Sequence, residues 1–468
     1  MKKRIPKLAG IWLVAIFTAV LPGSLSAQKK TENLSEKEKI QVIEQTSDLL
    51  NELYVFPDVA KEIGVHLKAK LEEGAFDTVS DKEAFAGMMT REMQSVSHDK
   101  HMRIRMRPPP VVSTEEVDPV LDDILRKENQ TSFNSGYIKV EILPGNIGYV
   151  DLRGFVEVES GKETASAAMK LISNTYAVIF DIRKNGGGDP AMVQYLCSYF
   201  FDKPTHLNSL YWREGDRTEE FWTHDDITGK KMADVPLFVL TARRTFSGAE
   251  EFAYNLQTRK RATLIGEVTG GGANPGGTRV VNDDFFLFIP TGRAINPVTG
   301  TNWEGVGVKP DMEVNADSAL DLAIREATIA AENYYQGWQD RIVSGYQKSK
   351  QLFDKASLLY ESDQREEADK LVNEGLQNGL EHYFLDEQGI NAMGYQFLGE
   401  KKIQMAIAIF AFNVMTFPGS ANTYDSLGEA YLANGDNQLA LENYKKSIEL
   451  DPSNSNARKI IDDLNKKK

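Results

Sequence analysis

The stretch Thr241–Leu256 reads TARRTFSGAEEFAYNL. The apolar run Pro236-Leu237-Phe238-Val239-Leu240 leads into it and predicts a buried strand. Beyond Ser247 the apolar residues Ala249, Phe252, Ala253 and Leu256 fall at helical spacing. Ser247 therefore stands where a strand hands over to a helix. A hydroxyl there lies beside free backbone N–H groups and the positive end of a helix dipole, which suits a nucleophile whose attack creates an oxyanion. The same residues, Ser247-Gly248-Ala249-Glu250, also spell S-x-x-E, the capping box of an ordinary helix.

Upstream, Val178-Ile179-Phe180 predicts a second buried strand, ending in Asp181-Ile182-Arg183-Lys184-Asn185-Gly186-Gly187-Gly188. A glycine triplet after a strand lets backbone N–H groups approach a ligand closely. The readings are an oxyanion hole, a dinucleotide site or a plain turn; G-x-G-x-x-G and the P-loop lysine pattern are both absent. Tyr137–Ile142 and Ile147–Leu152 flank Pro144-Gly145-Asn146 as a hairpin, and Glu163–Ser173 reads as helix. After the Ser247 helix come a strand at Ala262–Gly266, a Gly-rich loop at Gly270–Gly277 and strands at Thr278–Val281 and Phe285–Pro290. Glu304, between Trp303 and glycines, is either a carboxylate that orients a histidine or an exposed loop residue.

Residues 35–96 carry three helical patterns, broken at Tyr54–Asp58. Ser97–Ile104 then brings His98 and His101, two of six histidines. They read as metal ligands, as solvated polar residues, or as a source of a general base; no further His, Cys or carboxylate cluster in the sequence completes a metal site. Met102, Ile104 and Met106 alternate with arginines, so a strand is expected just after His101. Pro108-Pro109-Pro110 stops regular structure, and residues 111–135 read as an acidic, polar linker. In the tail, Gly394, Ala406, Phe410 and Pro418 recur 34 residues on as Gly428, Ala440, Tyr444 and Pro452, the tetratricopeptide period.

The bulk properties narrow the function classes. At 41% apolar and 26% charged residues the composition is that of a globular protein. A net charge of −14 argues against nucleic acid or an anionic membrane as the main partner. Residues 1–27 read as a secretory signal: a basic start at Lys2, Lys3 and Arg4, an apolar core at Leu8–Leu21, and small residues before Gln28. A retained membrane anchor is the alternative, but the core is short for a span. Cys197 is the only cysteine and lies in an apolar run, so no intramolecular disulfide is available. The expected location is outside the cytoplasm, periplasmic or extracellular in a bacterium, with no stable membrane span once the leader is cleaved.

These motifs together resemble the serine peptidase family that includes the C-terminal processing (tail-specific) proteases, the tricorn core and interphotoreceptor retinoid-binding protein. The resemblance covers about residues 40–320 and rests on YVFPDVA at Tyr54, DKHMRI at Asp99, DIRKNGGG at Asp181, TFSGAEEFA at Thr245 and WEGVGVKPD at Trp303. It implies an α/β core with a crotonase-like twisted sheet, an N-terminal helical domain and a C-terminal α-helical tetratricopeptide region. The expected boundaries are 1–27 signal, 28–110 helical domain, 111–135 linker, 136–320 core, 321–350 connecting helix and 351–468 repeats. The processing proteases use a Ser–Lys dyad, but Gly272 stands about where their lysine would be. The segment between Arg107 and Gly136 is also too short for their usual PDZ domain. The tricorn-like branch implies Ser247 as nucleophile, His101 as base with His98 as alternate, Glu304 as orienter, and Gly248 and Gly187 as oxyanion donors. No cofactor and no metal are expected. The implied partners are a polypeptide substrate and a protein bound by the repeats. The competing expectations are a catalytically inactive binding protein for apolar ligands or peptides on the same fold, and an interaction scaffold built on the repeats.

Overall fold

The computed structural model describes residues 33–107 and 119–466. The expected leader, its cleavage point and the first part of the expected linker lie outside the described residues. In chain order the elements are α1 (Glu36–Leu53), α2 (Pro57–Glu72), α3 (Lys82–Ser97), β1 (Arg103–Met106), α4 (Pro119–Ser132), β2 (Tyr137–Leu143), β3 (Ile147–Leu152), α5 (Val158–Ile172), β4 (Ala177–Asp181) and α6 (Pro190–Cys197). There follow β5 (His206–Trp212), β6 (Arg217–Trp222), β7 (Leu237–Thr241), α7 (Gly248–Thr258), β8 (Thr263–Gly266), β9 (Gly276–Val280), β10 (Phe285–Pro290), β11 (Gly292–Ile295) and β12 (Met312–Glu313). The tail is helical: α8 (Ala316–Glu361), α9 (Arg365–Glu381), α10 (Glu387–Gly399), α11 (Ile403–Thr416), α12 (Ala421–Asn434), α13 (Asn437–Leu450) and α14 (Ser455–Lys466).

Two compact units divide these elements. Among the described residues the first comprises residues 33–107 together with residues 212–216 and 275–292. Its helices start where local chemistry dictates. Ser35 and Glu38 form a reciprocal capping box at α1, Pro57 occupies the first turn of α2, and Asp81 accepts from Ala84 N–H at the start of α3. Its sheet runs β1-β10-β9, all antiparallel. One sheet face, with Ile104, Phe285 and Leu287, is buried, and Phe285 meets Phe85 of α3 edge-on at 6.1 Å. The strand expected after His101 is β1. Its partner β10 comes from nearly two hundred residues downstream, so the N-terminal domain draws in residues 275–292, which the sequence reading assigns to the core.

The second unit holds a six-stranded sheet ordered β12-β8-β7-β4-β3-β2, parallel except for the β2–β3 hairpin, and a three-stranded sheet ordered β11-β5-β6. This is the expected α/β core. One face of the large sheet, with Ile179, Phe238, Leu240 and Ile265, packs on α8 through Ala319, Ala323, Ala327 and Ala331. Alanine at every fourth position lets the helix lie close to the strands. On the other face Phe252 of α7 packs on Phe180 at 5.2 Å and Phe155 at 5.6 Å.

Two expected boundaries differ from the fold. Residues 119–132, placed in the linker, form α4, because Leu121, Ile124 and Leu125 recur at helical spacing behind Pro119. The connecting helix and the first tail helix are one element, the 46-residue α8. Gly394 and Gly428 lie where Phe410 and Tyr444 pack: a Cβ on Gly394 would stand 2.4 Å from the Phe410 ring, and one on Gly428 3.2 Å from Tyr444. That is the close helix crossing the repeat pattern requires. Among the described residues no helix is long and apolar enough to cross a membrane.

Candidate active site

In the second unit β4 and β7 are adjacent parallel strands, and the loops after their C-terminal ends carry the glycine triplet and Ser247. This is where open α/β sheets build sites. At the root of the first loop Asp181 takes a two-pronged contact from Arg183 (Nε–Oδ1 2.9 Å, Nη2–Oδ2 2.6 Å) and a hydrogen bond from Tyr149 (2.8 Å). Burial pushes the Asp181 pKa up, but the Arg183 guanidinium and the donors outweigh it and hold the carboxyl below its ordinary value. The loops are laced together: Thr245 Oγ1 donates to Ile182 O (2.9 Å) and Phe246 N–H to Asn185 O (3.2 Å).

Ser247 sits on a sharp turn. Its backbone is at φ 55°, ψ −125°, and Ala249 N–H donates back to Phe246 O at 3.1 Å. That is the first central position of a type II′ turn, a place that favours glycine. A serine held there stores on the order of 1–3 kcal/mol of strain. Ser247→Gly is therefore expected to melt higher than Ser247→Ala, by roughly 2–6 °C, since each mutant lacks the hydroxyl but only glycine relaxes the turn. Equal melting temperatures in paired scans would show the turn to be unstrained.

The glycine triplet lies against this turn. A Cβ on Gly187 would stand 2.7 Å from both Gly248 N and Ser247 Cβ, and one on Gly188 only 1.9 Å from Phe155 O. Gly187 N–H donates to Asn185 Oδ1 at 2.8 Å, and the fully buried Asn185 is anchored in turn on Leu152 O at 3.1 Å. Gly187 N–H is thus engaged in shaping the loop. Gly188 bridges Phe155 in parallel register through its neighbours, Phe155 N–H to Gly187 O and Asp189 N–H to Phe155 O. Its own N–H and C=O therefore point the other way, toward Gly248, where a Cβ would stand 3.1 Å from Gly188 N.

Glu250, fully buried on the first turn of α7, accepts four hydrogen bonds: from Ser247 N–H (2.9 Å), Thr269 Oγ1 (2.5 Å), Gly271 N–H (2.6 Å) and Gly272 N–H (2.8 Å). Burial pushes its pKa up, and these donors pull against it. The loop it holds continues into Ala273 and Asn274, whose N–H groups donate to Glu304 Oε2 at 2.5 and 3.0 Å. Trp303 Nε1–H donates to Gly272 O at 2.9 Å. Gly272 is thus held by Glu250 and Trp303, and a single loop ties the Ser247 turn to Glu304. The capping-box letters hinted at Glu250; its three contacts on residues 269–272 were not readable from the sequence.

In the first unit the two histidines part company. His98 is exposed and ends α3 in the left-handed conformation, its N–H on Gln94 O. His101 is buried, its ring stacked 5.7 Å from Phe288, and its N–H donates to Asp99 Oδ1 at 3.0 Å. Burial, helped by the Arg103 charge, lowers the His101 pKa to about 4.

Ser247 thus stands on a sharp turn over the C-terminal ends of parallel strands, with the glycine triplet packed against it. Residues 146–314 match the model of peptidase family S41, residues 29–144 the N-terminal domain of peptidase S41 in eukaryotic IRBP, and residues 421–454 a tetratricopeptide repeat. The three matches bear out the resemblance that the motifs imply: to a peptidase family S41 domain, to its N-terminal companion and to a tetratricopeptide repeat. It is 28% identical over 204 residues to a carboxyl-terminal-processing protease of Synechocystis sp., covering 43% of this chain and 45% of that protein. It is 27% identical over 147 residues to the chloroplastic tetratricopeptide repeat domain-containing protein PYG7 of Arabidopsis thaliana, covering 31% and 46%. The chain thus spans a little under half the length of the curated relatives it matches. Among solved structures, the photosystem II D1 C-terminal processing protease aligns at TM-score 0.38 and 16% identity over 60% of this chain and 94% of that one. The tricorn protease aligns at 0.42 and 13% over 64% and 37%.

Proposed function

We propose that the chain is an exported serine-type endopeptidase working through Ser247, His101 and Glu304. The observation that carries this reading is the strained turn at Ser247, packed against the glycine triplet. In the proposed cycle Ser247 Oγ attacks a peptide carbonyl while His101 takes the hydroxyl proton. The C–N bond then breaks and His101 returns the proton to the departing amine. Water repeats the sequence to release the acyl group. Glu304 orients the imidazole. The oxyanion is held by Gly248 N–H and, because Gly187 N–H is engaged by Asn185, by Gly188 N–H. No lysine enters the scheme, since Gly272 stands about where the dyad lysine would be. His101 is preferred to His98 as base because it is buried and neutral. The repeats would present a protein-binding surface, as such superhelices do.

The test is labelling by a serine-reactive fluorophosphonate beside cleavage of an unfolded protein pool. Labelling and cleavage by the unmodified chain are expected, with both lost in His101→Ala and retained in His98→Ala. A chain that neither labels nor cleaves would leave the non-hydrolytic binding protein as the better reading. A pH profile adds a second check. A base must be neutral, and the depressed His101 pKa keeps it so well below the ordinary imidazole value. The acid limb of kcat/KM is therefore expected near pH 4; a limb centred near 6.5 would point to an exposed histidine instead.

A further inference from the structure

The six-stranded sheet of the second unit has two unequal edges. At one of them β12 is only two residues long, Met312–Glu313, too short to offer a ladder to another strand. At the other stands β2, seven residues long, and among the described residues no strand pairs with its outer side. An edge strand presents a row of backbone N–H and C=O groups that template the addition of a further strand. Pairing with β3 shifts register between Tyr137 and Lys139, so the regular part of β2 runs Lys139-Val140-Glu141-Ile142-Leu143. Ile142 is 50% exposed, and Ile138, at the register shift, 56%. Apolar side chains left this open on a long edge mark it as a place of association.

What the edge fits is written in its residues. The stretch Ile138-Lys139-Val140-Glu141-Ile142 is complementary to itself when reversed. Two copies paired antiparallel about a twofold axis at Val140 set Lys139 of each opposite Glu141 of the other, Ile138 opposite Ile142, and Val140 opposite itself. Directly opposed residues share a face, and opposite charges there attract. Lys139 and Glu141 already lie together on one face of the sheet. Lys139 Nζ is 2.5 Å from Glu141 Oε1 and 5.8 Å from the Tyr149 ring, and Tyr149 is the register partner of Glu141. In the paired copies the four charges alternate in sign within one cluster. A lysine on an edge strand ordinarily guards it against pairing. Here a second copy is the partner that brings a carboxylate to face it. A twofold contact closes after two copies, and the short β12 leaves that sheet no second long edge from which to extend a fibre.

We infer that the chain forms a twofold dimer by antiparallel addition of β2 to β2 of a second copy, joining their two large sheets into one. The inference is independent of the peptidase reading. Sedimentation equilibrium of the full chain is expected to give the mass of two copies. Lys139→Glu and Glu141→Lys, each alone, set like charges opposite one another at both symmetric positions. Each is expected to weaken dimerisation about tenfold or more. Mixing the two variants brings an acidic strand against a basic one, and the double swap Lys139→Glu with Glu141→Lys restores the self-complementary pattern. Both preparations are expected to regain the dimer. Lys139 is exposed and Glu141 half-buried, so every variant should fold, which circular dichroism checks. Hydrogen exchange supplies a second readout: the β2 amides should exchange slowly in the unmodified chain and in the mixture, and faster in either variant alone. A full chain that sediments as one copy, or single variants that dimerise as well as it does, would overturn the inference. So would a mixture no more associated than its components. Amides of β2 that stay equally protected in the single variants would overturn it too, by showing the edge to be covered from within its own chain.

Discussion

Ser247→Ala is expected to abolish fluorophosphonate labelling and to lower the rate of peptide hydrolysis by about 10⁴- to 10⁶-fold, with the fold retained. Removing a nucleophile is costly because the remaining parts cannot form the covalent intermediate. Oxyanion donors and substrate binding alone leave only a residual rate over water. The change removes one oxygen from a residue whose backbone N–H is held by Glu250 rather than by its own side chain, so the turn should persist. Full-length alanine protein with unchanged circular dichroism but no turnover is the expected pair of results. Turnover that survives would move the nucleophile elsewhere.

Glu250→Gln should have the next largest effect, and it should act through position alone. The carboxylate accepts from three backbone N–H groups and one hydroxyl. A glutamine amide keeps one acceptor oxygen and turns an NH₂ toward the remaining donors. Two buried donors are then left unsatisfied at roughly 1–3 kcal/mol each, so a loss of stability on the order of 3 kcal/mol is expected in denaturant titration. The loop 269–272 should also shift, and with it Ala273 and Asn274 on Glu304. Displacements near 1 Å at a reacting centre cost about 10² in rate. The signature is a fall in kcat larger than any change in KM, with labelling slowed but not lost. Full activity in Glu250→Gln would show that Ser247 and the loop hold their places without it.

The resemblance read from five motifs and the framework read from periodicity agree on the α/β core. They differ in how local their evidence is. The DIRKNGGG motif names a glycine turn, yet which N–H is available depends on Asn185, whose side chain takes the Gly187 donor. Only the parallel bridge of Phe155 with Gly188 shows that the N–H of Gly188 itself is not spent on Phe155. Likewise, spacing alone does not separate two histidines three residues apart, although the resemblance favours His101. One caps a helix in solvent and the other is enclosed against Phe288, a ring contributed from far along the chain.

By itself the sequence determined what is written in neighbours: the strand before Ser247, the helix after it, the three N-terminal helices and the 34-residue repeat. Each depends on side chains a few positions apart, and hydrophobic period is a local signal. The tertiary structure alone decided what depends on distant pairing. It gave β1 a partner in β10 and so moved residues 275–292 into the N-terminal unit. It ran α8 unbroken through two expected boundaries, because alanines at every fourth position fit a sheet whose strands come from across the core. It also bound the loop after Thr269 between Glu250 and Glu304. Backbone hydrogen bonds must be satisfied somewhere, but nothing local in the chain says by which distant residue.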